Sequence, residues 1–305
     1  MGTTFRLGLD DVHRALDAID PVGLVVAELT GRGLVVPGPV LQVETNHPEP
    51  HVVTRETHSS IRVLLSADAL RAVRCASLTV IAAQLLVPPG AATVCVLGSG
   101  LRAELMMRML ARYVLGISHI AVCAVDGPTG AIVTQRVIDE LELSGIGLAI
   151  TSRVDEATFG ANLVGIATTG SLTDLESRHI SKAAVLVNCG GRPVPPSVVD
   201  HALLVCVGDR ALREQHAHRY EAAQVQPNSA RRRRVRYPRP VPTDFADLFQ
   251  DGRTGPTISA LGVVVVDVLD PDQVSAALTY EMTSVARRLG LGTATNLPDH
   301  DEGRQ

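Results

Sequence analysis

Residues Thr93 to Ala103 read Thr-Val-Cys-Val-Leu-Gly-Ser-Gly-Leu-Arg-Ala, a short apolar run that meets two glycines and passes at once into a helical pattern. Few folds accept that succession. A strand that is apolar on both faces belongs inside a parallel sheet, because only a sheet covered on both sides hides every side chain. Parallel neighbours need crossover connections, so the surrounding chain should alternate strand and helix.

It does. The spacing predicts a helix from Ala67 to Leu86, with Ser66 as its N-cap and Leu70, Val73, Ala76, Ser77, Val80 and Ala83 at helical intervals, ended by Pro88-Pro89-Gly90. Strands are expected at Ile120–Val125, Leu148–Thr151, Leu163–Thr168, Ala184–Asn188 and Leu203–Val207, with a helix from Ile132 to Leu143. The segment from Glu214 to Gly255 is polar and Pro-rich, includes Arg231-Arg232-Arg233-Arg234-Val235-Arg236, and reads as loop. Order returns with an apolar stretch from Ile258 to Val266 and a helix from Pro271 to Leu289, stopped by Gly290. The expected fold is α/β: a Rossmann-type, doubly wound parallel sheet over residues 93–255. A smaller α+β substrate and dimerisation lobe is expected from residues 1–92 and 256–305.

At 305 residues the chain exceeds what one core usually fills, and 46% hydrophobic against 20% charged residues is a globular balance. A net charge of -4 argues against nucleic acid as a partner, since counterion release needs a cationic surplus. No apolar run approaching the ~20 residues of a membrane span is read, and the acidic N-terminus lacks a targeting pattern, so a cytoplasmic protein is expected. Five dispersed cysteines, Cys75, Cys95, Cys123, Cys189 and Cys206, sit in apolar surroundings and suggest neither a disulfide framework nor a metal site.

The glycine turn carries the first chemistry. Gly98-Ser99-Gly100-Leu101-Arg102-Ala103 fits the dinucleotide-binding turn: Gly98 for the tight bend, Gly100 for close approach of a pyrophosphate, Ala103 for helix packing. Asp126, at the tip of the next strand, suits the ribose hydroxyls and favours NAD over NADP, because no arginine follows it. Thr168, Thr169 and Ser171, then Asn188 and Cys189, follow later strands at the carboxyl ends where such sheets bind ligands.

The helix Leu70 to Ser77 with its Arg74-Cys75-Ala76-Ser77, the glycine turn, Thr168-Thr169-Gly170-Ser171 and Ala260-Leu261-Gly262 running to Asp267 together resemble the ornithine cyclodeaminase and mu-crystallin family. The resemblance covers roughly Ser66 to Gly292. It implies NAD or NADP binding, chemistry at the Cα–N bond of an amino acid or imine, and a homodimer. Activities within that class are amino-acid dehydrogenase, imine reductase, release of 2,3-diaminopropionate in non-protein amino-acid biosynthesis, and ornithine cyclodeaminase. Arg74 matches the family arginine that can fork onto a substrate carboxylate, and Arg55 is a second candidate for that contact. Two family residues are missing. The only lysine, Lys182, precedes a Rossmann strand and matches no catalytic position, and Arg192 stands after Gly190-Gly191 where the family has aspartate. The lobe also reads as short, with too little chain between Val36 and Arg62 for the family's antiparallel sheet. No catalytic residue is assigned; His58, as a neutral-pH base, and Asp267, as a helix cap or a charge near the cleft, are the candidates. A nucleotide-binding protein that has lost its acid-base residues is the alternative.

Overall fold

A computed structural model of the chain describes residues 4–32, 40–44, 51–55, 62–90, 92–124, 133–172, 174–208, 243–250, 262–268 and 274–295. His58, Asp126 and the arginine run at 231–236 lie outside them. Two compact units are present, residues 1–74 with 272–305, and residues 75–271.

In the first unit, strands β1 (Thr4–Arg6), β2 (Val40–Glu44), β3 (His51–Arg55), β4 (Arg62–Ser66) and β13 (Thr293–Thr295) form one sheet in the order β13-β1-β4-β3-β2. β2, β3 and β4 run antiparallel in turn, so the stretch between Val36 and Arg62 does supply the antiparallel sheet it was read as too short for. A five-residue strand spans only about 17 Å, so little chain is needed. β1 pairs with β13 and with β4, which knits both ends of the chain into one sheet.

Helices α1 (Leu9–Asp17) and α2 (Pro21–Leu29) pack with the C-terminal helix α9 (Ala276–Arg288). The sequence placed the start of α9 at Pro271; it begins after Ser275, whose hydroxyl accepts from the Leu278 amide at 3.2 Å. The same hydroxyl donates to Glu28 Oε2 of α2 at 2.5 Å.

The second unit holds eight parallel strands: β5 (Ala92–Leu97), β6 (Ile117–Cys123), β7 (Gly147–Thr151), β8 (Leu163–Ile166), β9 (Val185–Asn188), β10 (Ala202–Val207), β11 (Thr243–Asp244) and β12 (Val263–Asp267). Their order is β11-β10-β12-β9-β8-β5-β6-β7. One assignment from sequence is corrected here. Val263–Asp267 was given to the smaller lobe, yet β12 lies inside the large sheet between β9 and β10, with all five residues buried. Its four consecutive valines have no polar face, and only an interior strand hides both faces.

Helix α3 (Ala67–Leu86) has the limits the sequence predicts, and the Ser66 hydroxyl accepts from the Ala69 amide at 3.3 Å. The two units divide within it, after Arg74, whereas the sequence division fell beyond its end at residue 92. The helix is buried on nearly every side, not on one stripe: Ala72, Cys75, Leu78, Thr79 and Ala82 join the predicted set. Among the described helices it is the one long and apolar enough to cross a membrane, a candidate missed in the sequence, and 83% of that stretch is buried inside the protein.

Helices α4 (Gly100–Tyr113), α5 (Gln135–Leu143), α6 (Val154–Thr158), α7 (Pro196–Val199) and α8 (Asp247–Gln250) complete the unit. α4 and α5 are joined by Arg108, which donates to Glu140, with Arg136 adding a second contact to Glu140 at 3.1 Å. Partial burial pushes the Glu140 carboxyl up, but the hydrogen bonds and charges of Arg108 and Arg136 outweigh it, and the group titrates below its ordinary value. A lowered folded-state pKa stabilises above the unfolded value, near 4.5, and that stability is lost as pH falls through the lower folded value. Glu140→Gln is therefore expected to reduce the melting temperature at neutral pH and to have a shrinking effect as the medium is acidified below about pH 4. Equal losses at both pH values, measured by circular dichroism melts, would contradict this.

Candidate cofactor and substrate site

The glycine turn sits on β5, where the strand order reverses: β6 and β7 lie on one side, β8 and β9 on the other. That reversal opens a crevice at the carboxyl ends of the strands. Close packing shapes the turn. Gly98 has φ +135°, and a Cβ there would stand 2.7 Å from the Thr168 amide nitrogen and 3.0 Å from the Ala167 carbonyl carbon. The Gly98 amide donates to the Cys123 carbonyl at 2.8 Å, so the turn is pinned to both flanking strands.

Gly100, with φ +72°, has open space where a Cβ would be, and Ser99 caps α4 without a side-chain hydrogen bond. The first amides of the 14-residue α4 thus lack a side-chain cap, and a helix start of this kind favours an anion. Ala103 is fully buried behind the turn.

The loops after β8 and β9 touch. A Cβ on Gly190 would fall 2.0 Å from the Thr168 carbonyl oxygen, which leaves glycine as the only fit. Thr168 is buried and its hydroxyl accepts from the Gly170 amide at 2.8 Å, shaping the loop that carries Thr169 and Ser171. Arg102, read as a cofactor contact, reaches from α4 to donate to the Cys189 carbonyl at 2.8 Å. Leu101 beside it is partly exposed.

Asn188 organises the β9 end. Its amide nitrogen donates to Asp267 Oδ1 at 2.8 Å and to the Arg192 carbonyl at 2.7 Å, and its oxygen accepts from the Gly190 amide at 3.1 Å. Asp267 is 1% exposed at the end of β12. It does not cap the following helix, which Ser275 caps instead. The pairing joins residues 79 apart and has no local sequence signal.

Cys189 lines the loop through its backbone only. Its thiol is fully buried, accompanied by the Cys75 carbonyl at 3.5 Å and the Thr79 hydroxyl at 3.7 Å. The hydrogen bond with Cys75, and burial after it, push that thiol well above its ordinary range, so it carries no thiolate chemistry at neutral pH. Among the described residues no group of three or more His, Cys, Asp or Glu side chains stands together to hold a metal ion.

The substrate candidates lie in the other unit. Arg74 is 5% exposed, and its Nε lies 3.9 Å from Glu28 Oε1, the carboxylate that Ser275 also engages. Its guanidinium already has an acidic neighbour, a competitor for any substrate carboxylate. Arg55 is on β3 opposite Val40 and Arg62; the position of its side chain lies outside the described residues.

A reversing parallel sheet with a glycine turn on its first strand defines a Rossmann-type α/β protein. A model of the ornithine cyclodeaminase/mu-crystallin family matches residues 52–202, a span that takes in α3, the glycine turn and the loops after β8 and β9. The chain belongs to that family. No curated protein matches it by sequence. Solved structures share the whole fold at low identity. CmnK superposes with TM-score 0.66 at 18% identity over 97% of this chain and 99% of its own. A lysine cyclodeaminase, solved for recognition of L-lysine, L-ornithine and L-2,4-diaminobutyric acid, gives 0.61 at 16% over 99% and 97%. The iminosuccinate reductase of Paracoccus denitrificans, in complex with NAD+, gives 0.62 at 12% over 97% and 100%.

Proposed function

We propose that this protein is an NAD-dependent oxidoreductase that acts at the Cα–N bond of an amino acid or of the corresponding imine, working as a cytoplasmic homodimer. The observation that carries the reading is the start of α4: amides without a side-chain cap, open space in front of Gly100, and a parallel sheet that reverses at that strand. Structures of the same fold include a reductase holding NAD+ and a cyclodeaminase of diamino acids.

In this reading the amides of Ser99, Gly100 and Leu101 receive the pyrophosphate. The 168–171 loop and the backbone of Cys189 border the remainder of the cofactor. The nicotinamide, when bound, supplies or accepts a hydride. Arg102 holds the β9 loop against α4 through the Cys189 carbonyl, and Asn188 fixes the same loop from below. These contacts preorganise the walls of the site, so little ordering is left for the moment of binding.

A second reading, nucleotide binding without turnover, is favoured by one feature. Lys182, the chain's only lysine, precedes β9 and so stands at the end of the sheet opposite the carboxyl-end loops. Because the chain has no tryptophan, binding is read from the emission of the reduced nicotinamide itself. Titration with NADH and NADPH is expected to give micromolar affinity with NADH preferred, followed by turnover on a panel of amino acids and imines. Binding with no turnover on any member selects the second reading; binding of neither nucleotide rejects both.

A further inference from the structure

A cavity of about 590 Å³ lies beside the loops after β8 and β9, lined by Ser171, Leu172, Arg192, Pro193, Pro195 and Pro196. Arg192 is the one charged side chain in that lining. Its place is fixed from two directions: its carbonyl accepts from Asn188, and its Nε donates to the Thr169 carbonyl at 3.3 Å. The preceding Gly190 permits the close approach to Thr168 that brings the two loops together. With Nε engaged, the two terminal amino groups of the guanidinium make no hydrogen bond to any described residue. A planar cation held at its inner nitrogen, with its outer donors available in an otherwise apolar and prolyl-walled recess, is suited to receive a carboxylate. Ser171 adds one hydroxyl to the same wall.

We propose that this recess is a carboxylate-binding subsite and that Arg192 anchors a carboxylate of the substrate, an amino or imino acid. The proposal rests on the reading of the protein as an oxidoreductase for such acids, and it adds Arg192 to the residues that recognise them. The prolines contribute stiffness: Pro193, Pro195 and Pro196 fix their φ angles, so the wall carrying Arg192 needs little ordering when a ligand arrives. An anionic group could also come from the cofactor, as a phosphate, and the test separates the two sources.

The full chain is titrated calorimetrically, without nucleotide, with succinate and L-alanine as carboxylate probes and with n-butylamine as a cationic control of similar size. NADH affinity is measured separately on the same proteins. The carboxylates are expected to bind and the amine not. Arg192→Gln should weaken carboxylate binding at least tenfold and NADH affinity far less, and Arg192→Lys should restore part of the carboxylate binding as a point charge without the fork. The side chain is exposed, so the variants should melt with the wild type. Unchanged carboxylate binding in Arg192→Gln overturns the proposal. So does a loss confined to NADH, which would make Arg192 a phosphate contact of the cofactor. Carboxylate binding that depends on Arg192 in a protein that binds no nucleotide would keep the subsite and reject the oxidoreductase reading.

Discussion

Gly98→Ala is expected to abolish nucleotide binding and to destabilise the fold by about 3 kcal/mol or more. Two costs combine. A side chain at φ +135° strains the backbone by about 1–3 kcal/mol, and a Cβ 2.7 Å from the Thr168 amide must displace main chain, not a flexible side-chain end. Both strands that flank β5 are tied to this turn, Cys123 by the Gly98 amide and the Ala167–Thr168 backbone by Leu97, so movement there reaches across the sheet. Gly100→Ala is the control. Its positive φ carries strain of about 1–2 kcal/mol, but the added methyl meets open space. Urea denaturation should rank the stability losses Gly98 above Gly100, while NADH titration should show both weakened. Equal stability losses would mean that backbone strain alone, and not the contact with Thr168, sets the identity of residue 98.

Asn188→Leu is the second large effect. Leucine keeps the branched heavy-atom shape in a somewhat larger side chain and removes three hydrogen bonds at once, one of them to the buried Asp267 carboxylate. Loss of a donor to a charged buried group costs about 1.5–3 kcal/mol, and the Gly190 amide and Arg192 carbonyl add smaller amounts. A drop of about 3–4 kcal/mol is expected from denaturation. The double variant Asn188→Leu with Asp267→Leu should be less destabilised than the sum of the two single variants, because the buried carboxylate that lost this donor is gone. Strict additivity in that cycle would show that the two residues are not energetically coupled.

Local signals made much of the architecture legible. Ser66 and the Pro88-Pro89-Gly90 break bound α3 because capping and chain breaking are properties of the residues themselves. The glycine turn was readable because its geometry excludes other residues at Gly98. Strand order was not. Val263 to Val266 say only that both faces are covered, and four valines carry no information about which strands lie beside them, so β12 was given to the wrong unit. The same limit applied within the site. Arg102 was read by its position in the motif, but its partner is a carbonyl 87 residues away. Arg192 was registered as a residue out of place, and only the cavity beside the β8 and β9 loops gives it surroundings.

The interior position of β12 bears on how the chain matures during synthesis. When β10 leaves the ribosome its neighbour toward β9 has not yet been made, because β12 follows some fifty-five residues later in the sequence. Until then the facing edges of β9 and β10 are open hydrogen-bonding edges, the kind that invite pairing with other chains. β13 must come later still to pair with β1, the earliest strand of its sheet. Each sheet is therefore completed by a strand that lies far downstream of its neighbours, and until β12 and β13 have been made the edges they cover stay exposed.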